Sequence, residues 1–292
     1  MKFYNLKEPE QQVSFAQAVK QGLGNNQGLF FPEHLPHFDN IEALLALPLV
    51  ERSVQVLYPF VSDDLTKKQL TEIVTEAFNF PAQVQPISEN RAILELFHGP
   101  TLAFKDFGAR FMAKCLQAFS SGKKITILTA TSGDTGSAAI EAFRGLDNVD
   151  VFILYPHGRV SDVQRRQMTT PTESNVHAIA VDGDFDDCQA RLKDMFNDFE
   201  FRDGVKLAGV NSINWGRVLA QVVYYFTSAV SLGAPGRKIS FTVPTGNFGD
   251  IFAGYIAKSM GLPIADLVIA TNQNDILDRC LKGQGYHKDG VH

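Results

Sequence analysis

Cysteine is scarce: Cys115, Cys188 and Cys280 stand far apart, are odd in number and form no C-x-x-C pair. That usage excludes a disulfide framework and a cysteine zinc site, and it fits a reducing compartment. The 7 histidines are scattered without an H-x-x-x-H pair, so no metal centre is expected. Basic charge is not in excess. Lys and Arg number 27 against 32 Asp and Glu, for a net charge of -5 and a pI near 5.8, which leaves no electrostatic footprint for nucleic acid. Long apolar runs are missing too. The uncharged stretch VLAQVVYYFTSAVSLG, Val218 to Gly233, holds Gln221, Thr227, Ser228 and Ser231. It falls short of the roughly 20 apolar residues of a membrane span, so it reads as a buried helix. The start, MKFYNLKEPEQQ, has no apolar signal core, and a cytoplasmic location without membrane contact is expected.

What is present is the composition of a folded enzyme. Hydrophobic residues make up 45% and charged residues 20% of the 292, enough chain for a sizeable α/β core. Phenylalanine, at 23 against 7 Tyr and 1 Trp, reads as core filling. Residues 1–90 read as a helical N-terminal region. VSFAQAVKQGL repeats apolar residues at helical spacing and ends at Gly22 and Gly24; Lys67 to Phe80 is another helix, stopped before Pro81. Over residues 91–292 short strands alternate with glycine turns and helices, the strands expected at 92–96, 124–130, 149–156, 176–183, 238–243 and 266–271. Such alternation predicts mostly parallel sheets with helices on both faces. Phe185, Cys188, Leu192, Met195, Phe196 and Phe199 form one helical stripe, read as core packing.

Asp106-Phe107-Gly108 looks like a kinase signature, but the H-R-D loop, G-x-G-x-x-G strand and V-A-I-K lysine that it requires are absent. Two glycine turns carry more. ILTATSGDTGSAA and FTVPTGNFGDIFAG each run strand, turn, helix, with turns at Gly133 to Gly136 and Gly246 to Gly249. Glycine lets the backbone approach a ligand, and free N–H groups at a helix start attract an anion. Open α/β sheets bind ligands at that edge. Neither turn has the spacing of a dinucleotide or P-loop site. Lys105 sits between Phe104 and Phe107. An amine in apolar surroundings loses proton affinity and becomes a usable nucleophile and base. A lysine able to form a Schiff base, together with a glycine-rich anion cradle, is what pyridoxal phosphate requires. The Gly246 turn would hold the cofactor phosphate and the Gly133 turn the substrate carboxylate.

ELFHGPTLAFKDFGARF, TILTATSGDTGSAA, NSINWGR and VPTGNFGD, with the N-terminal YNLKEPEQQVSFAQAVKQGLGNNQGLFFP, resemble the threonine synthase family across the whole chain. The resemblance implies the tryptophan-synthase-β-like fold (fold type II of pyridoxal phosphate enzymes), with the cofactor between two subdomains. It implies that Lys105 binds the cofactor and moves protons at Cα and Cβ. Thr245, Gly246, Asn247, Phe248 and Gly249 match the cofactor-phosphate loop. Thr131, Ser132, Gly133, Asp134 and Thr135 match the loop that meets the substrate carboxylate and the cofactor ring. Many relatives of this fold type carry Asn where Asp134 stands; an aspartate there must be protonated, bridged by water or turned away. Asn211, Ser212, Asn214 and Arg217 match a stretch placed by the substrate phosphate, with Arg217 as the phosphate fork. The implied reaction converts O-phospho-L-homoserine and water to L-threonine and phosphate, in a monomer or homodimer.

The chain ends at His292, before the family's later strands and the Ser or Thr that bonds the cofactor's pyridine nitrogen. That partner is expected beyond His292, and a polypeptide of this extent is expected to expose sheet edge and to be weakly active or inactive. A phospho-lyase giving a keto acid, or a noncatalytic fragment or paralogue that only binds, are the alternatives.

Overall fold

The computed structural model describes residues 1–120, 122–210 and 214–285. The N-terminal part carries a small sheet as well as helices. β1 (Phe3–Asn5), β2 (Glu8–Val13) and β3 (Phe30–Pro32) pair antiparallel with β1 in the middle. Around them stand α1 (Phe15–Gln21), α2 (Ile41–Leu45), α3 (Leu49–Val61) and α4 (Lys67–Ala77). α1 and α4 begin at capping boxes, Ser14 with Gln17 and Thr66 with Gln69, each side chain accepting from the other residue's backbone N–H. β4 (Gln83–Ser88) and β5 (Arg91–Glu95) form an antiparallel ribbon, so the strand expected at 92–96 lies outside the parallel sheets.

The alternating region runs α5 (Lys105–Ser120), β6 (Ile125–Ala130), α6 (Asp134–Phe143), β7 (Val149–Pro156), α7 (Asp162–Thr169), β8 (Val176–Val181), α8 (Phe185–Asn197), α9 (Phe199–Gly204) and β9 (Leu207–Gly209). It continues through α10 (Trp215–Ser231), β10 (Ile239–Val243), α11 (Gly249–Ser259), β11 (Ile264–Ile269) and α12 (Ile276–Leu281). Four strands pair parallel in the order β8-β7-β6-β9, and β10 pairs parallel with β11. β7, flanked on both edges, is buried along most of its length, whereas the edge strand β8 is largely half-buried or exposed. That contrast is what a doubly covered parallel sheet imposes.

α6 packs on β6 and β7 from the side of the main core, and α8 covers the same strands from the other face. Cys188 and Phe196 of the apolar stripe are buried against Leu128, Leu154 and Leu207, with Leu192 and Met195 packed beside them. Phe199 departs from the stripe: it is 58% exposed, with the Arg202 guanidinium 4.6 Å over its ring. Asp198 ends α8 and caps α9, so the helical face is reset there. The uncharged run from Val218 lies in α10, buried on nearly every side. No helix among the described residues is long and apolar enough to cross a membrane. Trp215, at the start of α10, is ringed by Phe3, Phe31, Phe60 and Phe252 with centroids 5.5, 5.4, 6.1 and 6.3 Å away. Much of the phenylalanine excess thus fastens the N-terminal sheet and α3 to α10 and α11.

Candidate active site

Lys105 opens α5, and its side chain is 15% exposed. The chain reaches it through a tight loop. Asp106 Oδ2 accepts from the Thr101 N–H at 2.9 Å, and its Oδ1 from the Thr101 hydroxyl at 2.6 Å. Asp106 is 1% exposed and folds residues 99–101 back over the first turn of α5. Leu102 takes φ 59° to make that turn. Burial lowers the proton affinity of Lys105; the Arg217 charge pushes the same way, and Asp134 opposes both.

Asp134 is the first residue of α6, and its Oδ2 lies 3.5 Å from Lys105 Nζ. Its turn is set by Thr131, whose hydroxyl accepts from the N–H groups of Gly133 and Gly136, both at 2.9 Å. Thr131 is 1% exposed, so its hydroxyl serves the turn. Ser132 is exposed and Thr135 half-buried beside it. Gly133 has φ 147°, a conformation that other residues rarely adopt; as the N-cap residue it offers no side chain, and the Thr131 hydroxyl takes the Gly136 N–H of the first turn of α6 instead. Gln164 of α7 donates its Nε2–H to Asp134 Oδ1.

The second turn is open. Thr245 Oγ1 donates to the Asn247 carbonyl at 3.2 Å. A Cβ at Gly246 would meet nothing within 4 Å. Phe248 is 40% exposed, and α11 starts behind it at Gly249 with no side-chain cap. Unsatisfied N–H groups at an open helix start form an anion site. Asp250, in the next position, is 7% exposed. It accepts from Tyr224 Oη at 2.5 Å and from Tyr225 Oη at 3.1 Å on the same carboxylate oxygen. The Tyr224 ring packs edge-on to Phe107 of α5, centroids 5.4 Å apart. The loop at 245–249 is therefore joined to the helix of Lys105 through Asp250, Tyr224 and Phe107.

Arg217 is 2% exposed. Its Nη1 donates to the Val210 carbonyl at 3.2 Å, and among the described residues its Nε has no partner. Burial lowers its proton affinity to a pKa of about 10. It packs so closely on α5 that a Cβ at Gly108 would come within 3.3 Å of its Cβ and Nε. Asn214 caps α10: it accepts from the Gly216 N–H at 2.9 Å and donates to the Val19 and Gly209 carbonyls at 2.9 and 3.3 Å. Asn211 and Ser212 lie outside the described residues. Of the residues singled out from sequence, Lys105 and Asp134 are brought to 3.5 Å of each other. Gln164, Tyr224, Tyr225 and Asp250 were missed. Ser161-Asp162-Val163-Gln164 shows only a helix-cap signature in sequence, and the tyrosines are hidden in an apolar run.

Residues 92–291 match the pyridoxal-phosphate dependent enzyme family, and residues 2–78 match the threonine synthase N terminus. Threonine synthase of Haemophilus influenzae is 52% identical over 283 residues, covering 97% of this chain and 66% of the relative. That of Escherichia coli is 51% identical over 284 residues, covering 96% of this chain and 66% of the relative. The chain thus spans about two thirds of the length of these curated relatives. The crystal structure of threonine synthase from Escherichia coli superposes with a TM-score of 0.95 at 49% identity, over 100% of this chain and 69% of that one. The structure of threonine synthase with bound pyridoxal phosphate from Brucella melitensis gives 0.92 at 50% identity, over 100% and 65%. The α/β architecture with its helical N-terminal region is that of fold type II, and the chain belongs to the threonine synthase family of pyridoxal-phosphate-dependent enzymes.

Proposed function

We propose that this chain holds pyridoxal phosphate and takes part in converting O-phospho-L-homoserine and water to L-threonine and phosphate, in the cytoplasm. The observation that carries the reading is the amine of Lys105, buried, low in proton affinity and 3.5 Å from the Asp134 carboxylate. Its surroundings fit the cofactor. Lys105 would bind its aldehyde carbon. The backbone of Gly246 to Gly249, with the uncapped start of α11, would hold its phosphate.

Bound pyridoxal phosphate supplies an electron sink for the pair left at the substrate Cα when a proton departs. Lys105 would accept and return that proton, since burial leaves more of its amine free than an ordinary lysine offers. The N–H groups of Ser132, Asp134 and Thr135 would orient the substrate carboxylate, that of Gly133 being taken by Thr131. Arg217 is already stripped of water and has an Nε without a partner among the described residues. A phosphate brought to it would make a charge-assisted pair, which is strong in such a setting. Asn211, Ser212 and Asn214 belong to the same stretch, Asn214 acting through the cap that sets the direction of α10. The division near residue 90 would place the N-terminal region as a support.

The test uses the 292-residue chain. It is incubated with pyridoxal phosphate, reduced with borohydride and digested, and peptides are read by mass spectrometry. A pyridoxyl group on the Lys105 peptide, absent from Lys105→Ala, is expected. A pyridoxyl group spread over surface lysines and unchanged in Lys105→Ala refutes the cofactor assignment. Threonine and phosphate released from O-phospho-L-homoserine are then measured together. Phosphate without threonine would move the reading to a lyase.

A further inference from the structure

We propose that Gln164 is a positioning residue: backed by Ser161, it holds the Asp134 carboxylate off the Lys105 amine. This rests on the reading that Lys105 is the cofactor lysine, and it explains how an aspartate is accommodated beside that lysine.

The sense of the Gln164 amide follows from its two neighbours: the Asp134 carboxylate can only accept, so Nε2 faces it, and the Ser161 hydroxyl can then donate to the other end. Ser161 Oγ donates to Gln164 Oε1 at 3.0 Å, and Nε2 donates to Asp134 Oδ1. The same Ser161 oxygen accepts from the Gln164 backbone N–H at 3.3 Å, which caps α7. One serine thus serves both the helix start and the far end of the amide. The approach is close. A Cβ at Gly133 would overlap the Gln164 side-chain amide, so a side chain there would push that amide off its place, and the φ of 147° is itself strained for any other residue.

α7 is itself held in place. Met168 is 1% exposed, and its Sδ would lie 2.7 Å from a Cβ at Gly136. Gln167 Nε2 donates to the Thr101 carbonyl at 3.2 Å, in the loop that delivers Lys105. Two glutamines three positions apart on α7 therefore reach the two segments that carry the Lys105–Asp134 pair. Residues i and i+3 share a helix face, which is why one short helix can serve both.

The consequence is electrostatic. With Oδ1 engaged by Gln164, Asp134 presents Oδ2 to Lys105 at 3.5 Å, longer than a charge-assisted hydrogen bond of roughly 2.7–2.9 Å. A contact pair would hold the proton on Lys105 and cancel the effect of burial. The charged groups facing Lys105 are Asp134 from α6 and Arg217 from α10; Asp106 on α5 is turned to Thr101. Only Asp134 favours the protonated amine, so restraining it sets how much free amine Lys105 offers.

The test is made on the cofactor-free chain, by competitive acetylation with acetic anhydride across pH and mass spectrometry of the Lys105 peptide. In Gln164→Leu the carboxylate closes on the amine, and the titration midpoint of Lys105 is expected to rise by about one pH unit. Gln164→Glu, which keeps the shape and adds an acceptor, is expected to raise it too. Asp134→Ala lowers the midpoint, and adding Gln164→Leu to it changes nothing further, since the effect passes through Asp134. An unchanged or lowered midpoint in the two Gln164 variants overturns the assignment, as does an equal rise on the Asp134→Ala background. Pyridoxyl capture by the unaltered chain is read separately. Its failure would overturn the cofactor reading while the acetylation profiles still decide the role of Gln164.

Discussion

Replacing Tyr224 by Phe removes one oxygen from the interior and leaves the ring. The ring contacts Phe107 and Tyr225 at 5.4 and 5.3 Å between centroids, and those contacts survive. What is lost is the hydroxyl that donates to Asp250 Oδ1 at 2.5 Å. Tyr225 still reaches the same oxygen at 3.1 Å and the Asp250 carbonyl at 3.0 Å. Burial already raises the proton affinity of Asp250, and the two tyrosine hydroxyls hold it down. A hydrogen bond to a buried charged group is worth about 1.5–3 kcal/mol, so Tyr224→Phe is expected to cost about 2 kcal/mol at neutral pH. The measurement is urea unfolding with the slope m unchanged, which keeps the comparison to stability alone. The pH dependence has a definite sign. The lost bond favoured the ionised carboxylate, so its contribution is present above the titration of Asp250 and is lost as pH falls through it. The gap between Tyr224→Phe and the unaltered chain is therefore expected to narrow toward acid. Tyr224→Phe with Tyr225→Phe should cost more than the sum of the single changes, because Asp250 then loses both donors. A gap below about 0.5 kcal/mol, or one that widens toward acid, would refute the reasoning.

Gly133→Ala combines a backbone strain at φ 147° with an overlap on the Gln164 amide; a loss of about 3 kcal/mol or more in unfolding is expected, with weaker pyridoxyl capture at Lys105. Trp215→Ala leaves a hole among Phe3, Phe31, Phe60 and Phe252, and a loss of about 3–5 kcal/mol is expected by the same unfolding measurement. Lys105→Met removes a buried amine whose protonated form is disfavoured there. It is expected to match or exceed the parent in stability, with the gain appearing as pH falls below the ordinary lysine value of 10.5 and levelling off below the depressed one, while abolishing capture; thermal melts across pH check this.

Five of the six strands of the parallel sheets are legible because each carries a local signal, a β-branched run closed by a turn, as at Ile125–Ala130; β9, three residues long at Leu207–Gly209, pairs with β6 without one. Their edges moved by a few residues at most. The β1–β3 sheet was not legible. Its strands are short, and β1 meets β3 across a helix and a loop, a pairing that no local pattern encodes. The apolar stripe was read one residue too far, because Asp198 caps a new helix under Phe199. At the candidate site, Lys105 stands out in the sequence through its apolar flanks and its motif, and the structure leaves its side chain 15% exposed. Asn214 was read as a substrate contact; its amide is engaged with three backbone groups of its surroundings. Gln164 was invisible for the opposite reason: its local signature explains the helix cap and gives no sign of the contact with Asp134 thirty positions away.

These placements share one cause. Three features singled out from the sequence lie at helix starts: Lys105 on α5, Asp134 on α6 and the open 245–249 turn at α11. Helix starts carry unsatisfied N–H groups, so they suit anions, and they follow parallel strands at the sheet edge where ligands can reach them. An amine at such a start is held by nothing in the helix itself. It must be positioned from outside, which is the role of Asp106 through Thr101 on one side and of α7 through Asp134 on the other. The buried cation Arg217 and the tyrosine-bound Asp250 then occupy the space beneath, where an apolar packing would be more stable. Burial of charge there is costly in stability, and it sets a cation beside the lysine and a carboxylate behind the 245–249 turn.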